Sequence, residues 1–252
     1  MNQIPEIKSR IFSLSTEQEF NDLSLEIFRF QYANNDIYKR FVDFLGKKPE
    51  SVQQFTDIPF LPIDFFRDFK IVSGKISIPL LFKSSGTTGM HTSTHHVAEP
   101  EIYKRSLLKN FELNYGEPSQ YTIMALLPSY LERQDSSLIF MVRELINLCG
   151  DEKSGFYLDN LEALSENVQR SILQNKQVLL IGVSFALLDL ADRFPQEMKN
   201  SIVMETGGMK GRRKEIVREE LHEILSQAFA LSSIHSEYGM TEMLSQTYSK
   251  QR

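Results

Sequence analysis

A short run of hydroxyl and glycine residues follows an apolar segment near position 80. It reads Phe82-Lys83-Ser84-Ser85-Gly86-Thr87-Thr88-Gly89. The glycines let backbone N–H groups approach a bound anion closely, and the hydroxyls add neutral hydrogen-bond donors. The run matches neither the G-x-x-x-x-G-K-[ST] P-loop nor G-x-G-x-x-G. It therefore predicts a triphosphate grip of another kind, with a flexible surface turn as the alternative.

A second glycine-rich segment reads Glu205-Thr206-Gly207-Gly208-Met209-Lys210-Gly211-Arg212-Arg213-Lys214. Its glycines permit close backbone approach to a ligand. Its four cations are predicted to crowd the start of the next helix, where the helix dipole already carries positive charge. A bound phosphate or carboxylate would relieve that conflict, and a solvated basic face explains the cations equally well.

A third segment, His235-Ser236-Glu237-Tyr238-Gly239-Met240-Thr241-Glu242, combines an aromatic ring, a glycine, a hydroxyl and a carboxylate. Tyr238 can stack on a base, and Gly239 lets the backbone close on it. Thr241 can donate to an α-phosphate, and Glu242 is a hard oxygen ligand suited to Mg²⁺. The segment predicts a metal–nucleotide clamp, with a tyrosine-containing turn before a helix as the alternative.

The remaining reactive side chains give weaker signals. His91, His95 and His96 follow the first run, but no cysteine or acidic residue stands at metal-ligand spacing, so zinc is not predicted. His96, or its neighbour His95, is a candidate for a position near a reacting acyl or phosphate group. Cys149 ends an apolar helical stripe, which favours a buried structural thiol over a nucleophile.

Composition limits the classes of function. The chain has 252 residues, 41% of them hydrophobic, and a net charge of −5, which excludes a globally basic surface for nucleic acid or an anionic membrane. One cysteine excludes a disulfide framework and suits a reducing compartment, so we expect a cytoplasmic protein. The N-terminus lacks the apolar region of a signal peptide, and no apolar run is long enough to span a membrane.

From Tyr121 onward, apolar runs alternate with helical patterns, which predicts an α/β fold with a mostly parallel sheet flanked by helices. The predicted strands are Thr122–Leu127, Val178–Val183, Ser201–Met204 and Leu231–Ile234. The predicted helices are Ser137–Cys149, Leu161–Gln174, Phe185–Arg193 and Arg213–Phe229. Ligands of such sheets bind at the carboxyl ends of the strands, where the glycine-rich segments lie.

The front of the chain reads as helical. A capping box is available between Ser15 and Glu19, and a second helix starts near Ile37 and stops at Gly46. Most of the phenylalanines lie before Lys83, so this part either forms its own core layer or lines an apolar groove, and we favour the core. We expect a helical segment at residues 1–57, packed on a nucleotide-binding domain at 58–252.

Three elements in this order resemble the acyl-adenylate-forming superfamily of acyl-CoA synthetases and peptide-synthetase adenylation domains. They are Ser84–Gly89, Gly207-Gly208, and Tyr238–Glu242. Within that superfamily the chain is most similar to the acyl-protein synthetases of bacterial bioluminescence fatty-acid reductase systems. That subgroup is suggested by Ile58–Phe66, Leu126–Leu131 and Glu205–Arg212.

The resemblance implies a large adenylating domain and a reaction in which a carboxylate, such as a long-chain fatty acid, attacks Mg·ATP to give acyl-AMP. A thiol on a protein or on CoA then takes the acyl group, and an acyl reductase or thioesterase is the implied partner. By this analogy Ser84, Ser85, Gly86, Thr87, Thr88 and Gly89 hold the β- and γ-phosphates.

The same analogy gives roles to the later segments. Gly207 and Gly208 border the nucleotide and the acyl carboxylate, and the segment from Tyr238 through Gly239 to Met240 borders adenine. Thr241 contacts the α-phosphate and Glu242 the Mg²⁺. With Thr241 and Glu242, His96 is the third catalytic candidate.

The sequence departs from the family in two ways. The family continues past the position of Arg252 with a ribose-binding aspartate, a hinge and a small domain that carries the adenylation lysine, so we expect a truncated product, a fragment or one part of a split enzyme. Gly89 is followed by Met90-His91-Thr92 where the superfamily commonly has Pro-Lys. A non-catalytic nucleotide-binding module, an aryl- or acyl-CoA ligase fragment, and an interaction domain built on the Phe-rich front stay open as alternatives.

Overall fold

The computed structural model describes residues 3–74, 77–84, 92–128, 135–209 and 211–250. The chain divides into two compact units, Met1–Ser106 and Leu107–Arg252. Within the described ranges, no helix is long and apolar enough to cross a membrane.

The first unit begins with helices. They are α1 (Gln3–Arg10), α2 (Glu17–Asn34), α3 (Asp36–Phe44) and the single turn α4 (Phe65–Asp68), with short 3-10 turns at Pro49–Ser51 and Phe55–Asp57. The predicted capping box is present: the Thr16 hydroxyl accepts from the Glu19 N–H at 3.1 Å, and the Glu19 carboxylate accepts from the Thr16 N–H at 3.1 Å. Gly46, at φ +67°, follows α3 in the left-handed conformation that glycine adopts without strain.

Helices α2 and α3 share a core with the turns that follow them. Its buried members are Leu25, Phe28, Tyr38, Val42, Val52 and Ile58, and Tyr32, Phe41 and Leu61 pack against it. This part of the chain therefore has its own apolar core, as we expected from its phenylalanines. Other rings stay exposed, among them Phe44 and Phe60.

A β-hairpin completes the first unit. Strand β1 (Leu80–Lys83) pairs in antiparallel fashion with β2 (Thr94–Val97), and Leu80 lies opposite Val97. Phe82 is fully buried and contacts the ring of Tyr103 edge to face. Tyr103 belongs to α5 (Pro100–Tyr115), the helix that leads into the second unit.

The second unit is built on a six-stranded sheet. The strands are β3 (Tyr121–Leu126), β4 (Gly155–Phe156), β5 (Gln177–Val183), β6 (Ile202–Thr206), β7 (His235–Gly239) and β8 (Gln246–Ser249). Their spatial order is β4-β3-β5-β6-β7-β8, and every neighbouring pair is parallel except β7 with β8. The connecting helices are α6 (Ser137–Asn147), α7 (Leu161–Leu173), α8 (Ser184–Arg193) and α9 (Arg218–Phe229). The predicted fold class, α/β with a mostly parallel sheet, is confirmed.

Helices cover both faces of this sheet. On one face Phe111 of α5 contacts the ring of Tyr121, and the Tyr248 hydroxyl reaches the sulfur of Met141 on α6. On the other face His222 of α9 contacts Ser236. Because both faces are covered, β3 is buried at every position, and its sequence from Ile123 to Leu126 is a continuous apolar run.

Three predicted strands and three predicted helices agree with the observed elements to within two residues. The predicted strand Leu231–Ile234 is wrong, because β7 runs from His235 to Gly239. Ala230 caps α9 in the left-handed conformation, and the chain then needs a short connection before it reaches the sheet. The helix predicted from Arg213 begins at Arg218.

The lone cysteine is buried, and its thiol donates to the carbonyl oxygen of Leu145 at 3.1 Å. Burial raises the pKa of the Cys149 thiol, which disfavours the nucleophilic thiolate. These features fit the predicted structural role.

Candidate functional site

The carboxyl ends of the parallel strands lie along one edge of the sheet. Val183 ends β5 and leads into α8, Thr206 ends β6 and leads into the glycine pair, and Gly239 ends β7. Since β5, β6 and β7 are consecutive neighbours, their C-terminal segments are adjacent along this edge. This is where open α/β sheets bind ligands.

The backbone conformation requires a glycine at 207 but not at 208. Gly207 has φ +70°, a left-handed conformation that side chains rarely adopt. Gly208 does not have this conformation, and a Cβ added to it would have no heavy atom of the described residues within 4 Å. The fold therefore requires a glycine at 207, whereas the described residues leave the space beside 208 open to a ligand.

The third predicted segment forms the end of β7 and the turn of the β7–β8 hairpin. Tyr238 pairs with Thr247 and Gly239 with Gln246, and Met240, Thr241 and Glu242 follow in the turn. Tyr238 is 60% exposed. We expected this segment to be a loop after a strand ending near Ile234, but its first half is itself the strand.

The carboxylate of Glu242 is half-buried in that turn, and within the described ranges it forms no hydrogen bond or ion pair. Nor do the described histidines, cysteines and acidic residues form a group of three or more that would hold a metal by themselves. Mg²⁺ keeps several waters and is usually bound by one or two carboxylates together with substrate phosphates. A single carboxylate at Glu242 therefore fits Mg²⁺ bound with a nucleotide, but not a site made by protein alone.

The first predicted segment joins β1 to β2. Ser84 extends the hairpin: its N–H donates to the Ser93 carbonyl oxygen at 3.0 Å, and its hydroxyl accepts from the Ser93 N–H at 2.9 Å. The other predicted phosphate-binding residues of this run, Ser85, Gly86, Thr87, Thr88 and Gly89, lie outside the described residues.

His96 lies on β2 opposite Leu81. Its Nδ1 atom is buried and has no hydrogen-bond partner within the described ranges. Burial lowers the pKa of His96, and the nearby charge of Lys70 lowers it further, so the imidazole is neutral at pH 7. The ring of its neighbour His95 packs edge to face on Phe66.

A buried polar network underlies the sheet edge on the α9 face, and the sequence analysis missed it. At its centre is the carboxylate of Glu205 on β6, which accepts from the Ser236 hydroxyl at 2.5 Å and from the Ser184 hydroxyl at 3.3 Å. The guanidinium of Arg218 donates to the Ser236 oxygen at 2.6 Å and lies 3.8 Å from Glu205. These contacts tie the ends of β5 and β6 to β7.

His222 closes this network from helix α9. Its Nε2 atom lies 3.3 Å from the Ser236 oxygen and 3.6 Å from the Glu205 carboxylate. Burial lowers the pKa of His222, and the Glu205 charge only partly opposes this, so the ring is neutral. The sequence signal that could have revealed this network is the pair of polar residues, Glu205 and Ser236, at buried strand positions.

A second buried contact lies on the opposite face of the same two strands. The hydroxyl of Thr206 donates to Oε2 of Glu237 at 2.5 Å. Burial raises the pKa of the Glu237 carboxyl to about 7, repulsion from Glu205 acts in the same direction, and the Thr206 hydrogen bond opposes both. Glu237 is therefore the described acid whose charge is most sensitive to physiological pH near the candidate site.

The two arginines after Gly208 are engaged by other side chains and do not form an open anion-binding site. Arg213 forms ion pairs with Asp189 at 2.5 Å and Asp192 at 2.6 Å on α8. The guanidinium of Arg212 lies over the ring of Phe185. Since the helix begins at Arg218, these cations do not crowd its first turn, and the expected conflict with the helix dipole is absent. Lys210 lies outside the described residues.

No family model matches the sequence, and no curated protein matches it. Two crystal structures of 2-hydroxyisobutyryl-CoA ligase are similar in fold. One is an open conformation in complex with 2-HIB-AMP and CoA, with a TM-score of 0.57, 10% identity, and coverage of 90% of this chain and 51% of that chain. The other is the postadenylation state in complex with R3-HIB-AMP, with a TM-score of 0.56, 8% identity, and coverage of 89% and 48%.

The chain thus spans about half the length of the ligase structures that it matches. At this level of identity the likeness shows the fold alone. The fold is mixed α/β with a mostly parallel sheet, as the sequence predicted, and it is similar to the fold of 2-hydroxyisobutyryl-CoA ligase.

Proposed function

We propose that this chain activates a carboxylic acid with ATP, forming an acyl-AMP, and passes the acyl group to a thiol. The observation that carries the proposal is the position of two segments on paired strands at one edge of the sheet. Gly208 follows β6, and no described atom fills the space beside it; Tyr238, the last residue but one of β7, is largely exposed. The fold shared with a ligase that binds 2-HIB-AMP and CoA adds support.

The described side chains suit the parts of a nucleotide. The exposed ring of Tyr238 offers a stacking surface for adenine. The backbone at Gly208 offers close approach, and the Thr241 hydroxyl offers a donor for the α-phosphate. The run Ser84–Gly89 is proposed for the β- and γ-phosphates on the resemblance alone.

The proposed reaction has two balanced steps. In the first, a carboxylate oxygen bonds to the α-phosphorus of ATP, the bond between the α-phosphorus and its bridging oxygen breaks, and pyrophosphate leaves. In the second, a thiol sulfur bonds to the acyl carbon, the bond to the AMP oxygen breaks, and the thiol proton passes to solvent. Both steps depend on positioning and charge stabilisation more than on a protein nucleophile.

Glu242 is the proposed Mg²⁺ ligand, because its carboxylate is not engaged by any described residue. When bound with the nucleotide, Mg²⁺ supplies charge neutralisation at the phosphates. The neutral imidazole of His96 is proposed as a hydrogen-bonding group near the acyl or phosphate oxygens.

The finer proposal is a long-chain fatty acid as substrate, a thiol on a protein as acceptor, and an acyl reductase or thioesterase as partner, as in bioluminescence acyl-protein synthetases. It rests on the resemblance of three segments, Ile58–Phe66, Leu126–Leu131 and Glu205–Arg212. A CoA thiol is the alternative acceptor.

The test is carboxylate-dependent exchange of labelled pyrophosphate into ATP in the presence of Mg²⁺, with ATP binding measured by calorimetry. The acids are fatty acids of several chain lengths, aryl acids and small hydroxy acids. Glu242→Gln is the site variant, and Glu152→Gln, an exposed glutamate beyond the opposite edge of the sheet, is the matched control.

Exchange that depends on one class of acid and is lost in Glu242→Gln supports adenylation and identifies the substrate. Mg²⁺-dependent ATP binding without exchange supports a nucleotide-binding module that does not adenylate alone. If ATP does not bind at all, the nucleotide assignment of the segments is wrong.

A further inference from the structure

The carboxyl group of Glu237 packs against the backbone of Gly239, two residues later on β7. A Cβ added at Gly239 would stand 2.9 Å from Oε1 of Glu237, so the carboxyl group occupies the space that a side chain at 239 would need. The other carboxyl oxygen is held by Thr206 of β6. Glu237 therefore packs against the end of β7 and links it to β6.

The carboxyl group cannot be solvated where it lies. Glu237 is only 7% exposed, and among the described residues no cation forms an ion pair with it. An ionised carboxylate in such a place has little exposure to water and no counter-charge among the described residues, which is costly. Thr206 donates to Oε2, and a proton on Oε1 leaves the group neutral, which removes the cost of burying a charge.

The titratable groups on the same face do not supply a counter-charge. Tyr248 of β8 is the strand partner of Glu237, and His235 stands two residues earlier on β7. Burial lowers the pKa of His235, which leaves that ring neutral, and its Nδ1 atom lies 3.1 Å from the hydroxyl of Tyr115 on α5. The amine of Lys250 is bound to the carbonyl oxygen of Asn114.

Among the groups on the neighbouring elements, Glu205 of β6 carries a carboxylate that repels a charge at Glu237. Arg218 and His222 of α9 contact Glu205, on the opposite face of the sheet from Glu237. Glu242, in the turn that follows β7, adds a further acidic group on the same hairpin.

We propose that Glu237 is a positioning residue that keeps the Tyr238–Gly239 hairpin in its nucleotide-binding shape only while its carboxyl group is protonated. Ionisation draws water towards the carboxylate and displaces the backbone of Gly239 that covers it. The loss of the proton thus weakens nucleotide binding by opening the hairpin. This inference rests on the proposed function, which supplies the nucleotide as ligand. The pH response of the hairpin itself does not require a ligand.

The first experiment uses the full chain without nucleotide. Amide hydrogen exchange of residues 235–249 is measured from pH 6 to pH 8 and corrected for the intrinsic effect of pH. We expect protection to fall with rising pH in the wild type and to stay constant in Glu237→Gln, a neutral side chain of the same shape. A wild-type profile that is flat, or one that Glu237→Gln reproduces, would overturn the proposal.

Thr206→Val gives a second test that keeps Glu237 in place. Because the Thr206 hydroxyl stabilises the ionised form, its removal should move the midpoint of the exchange transition to higher pH. An unmoved midpoint contradicts the proposed coupling, even if Glu237→Gln fails to fold.

The third measurement is the affinity for Mg·ATP over the same pH range. If only the protonated hairpin binds, affinity in the wild type falls about tenfold per pH unit above the midpoint. The titration of ATP itself is the same for all three proteins at any one pH, so affinities are compared at the same pH. Glu237→Gln should match the wild type at pH 6 and bind about tenfold more tightly than the wild type at pH 8, and Glu237→Ala should bind weakly throughout.

The two proposals can fail separately. If the hairpin responds to pH through Glu237 but ATP does not bind at any pH, the proton-dependent hairpin is supported and the nucleotide assignment fails. If ATP binds and Glu237→Gln keeps the pH dependence of the wild type, the role of Glu237 is wrong and the proposed function is unaffected.

Discussion

Leu187 packs directly over Gly182. A Cβ at Gly182 would lie 2.8 Å from both Cγ and Cδ2 of Leu187, and 3.2 Å from the carbonyl oxygen of Leu126. Leu187 belongs to α8, which begins immediately after β5, and both Leu187 and Gly182 are buried. The glycine near the end of β5 thus sets how closely α8 approaches the edge of the sheet that bears the candidate site.

We expect Gly182→Ala to destabilise the protein. Alanine normally suits a strand better than glycine, but here the added methyl overpacks the contact with Leu187, which typically costs about 1–3 kcal/mol. Urea denaturation of the wild type and the variant measures this cost. Gly208→Ala is the matched control, since its methyl would contact no described atom, and it should leave the free energy of unfolding within about 0.5 kcal/mol of the wild type. Equal stabilities of the two variants would contradict the packing argument.

Gly208→Ala should nevertheless weaken the binding of Mg·ATP. Since neither its backbone conformation nor any described neighbour requires a glycine at 208, we attribute it to the close approach of a ligand. A loss of tenfold or more in affinity, measured by calorimetry on a variant that melts at the wild-type temperature, is the expected result. Unchanged affinity would exclude the backbone at Gly208 from the nucleotide site.

Much of the fold was predictable because its signals are local. The capping box joins Thr16 to Glu19 within one turn, and β3 and β5 are continuous apolar runs between helical patterns. Such features depend on residues a few positions apart, and the sequence alone reveals them.

The candidate site was predictable in outline but not in its supports. The glycine pair and the Tyr238 segment were found as motifs, but β7 was misplaced because its buried residues are polar. Ser236 and Glu237 are buried only because Glu205 and Thr206, 31 residues earlier, complete their hydrogen bonds. A pattern of hydrophobicity does not report a contact made at that distance along the chain.

The cations after Gly208 suggested an anion site in the sequence, and Arg213 provides a test of it. Arg213→Ala removes two ion pairs to α8 that are partly exposed, and such pairs contribute about 1 kcal/mol or less. Because the Arg213 charge is already paired, we expect its removal to leave ATP affinity within twofold of the wild type. Calorimetry on Arg213→Ala and on its exposed neighbour Lys214→Ala measures this. A tenfold loss in Arg213→Ala alone would restore the anion site that the sequence suggested.

At the opposite edge of the sheet, where the parallel strands begin, Asp151 joins three segments of the chain. Its carboxylate accepts from the Lys176 amine at 2.6 Å, the Thr122 hydroxyl at 2.9 Å and the Lys153 N–H at 2.9 Å. Burial by itself raises the pKa of Asp151, but these hydrogen bonds outweigh it and lower the pKa to about 2. The side chain is only 10% exposed, so solvent screens these contacts little.

Asp151→Asn should therefore destabilise the protein in a way that depends on pH. A carboxyl group whose pKa is lower in the folded state stabilises the fold above its unfolded pKa, here by about 2 kcal/mol at pH 7. As the pH falls from about 5 towards 2, protonation removes this contribution from the wild type, and the difference between wild type and variant should shrink. Urea denaturation at pH 7, 4 and 3 measures that difference, with Glu152→Gln as the exposed neighbouring control. A difference that stays constant with pH would mean that Asp151 stabilises the fold through its shape and neutral hydrogen bonds, not through its charge.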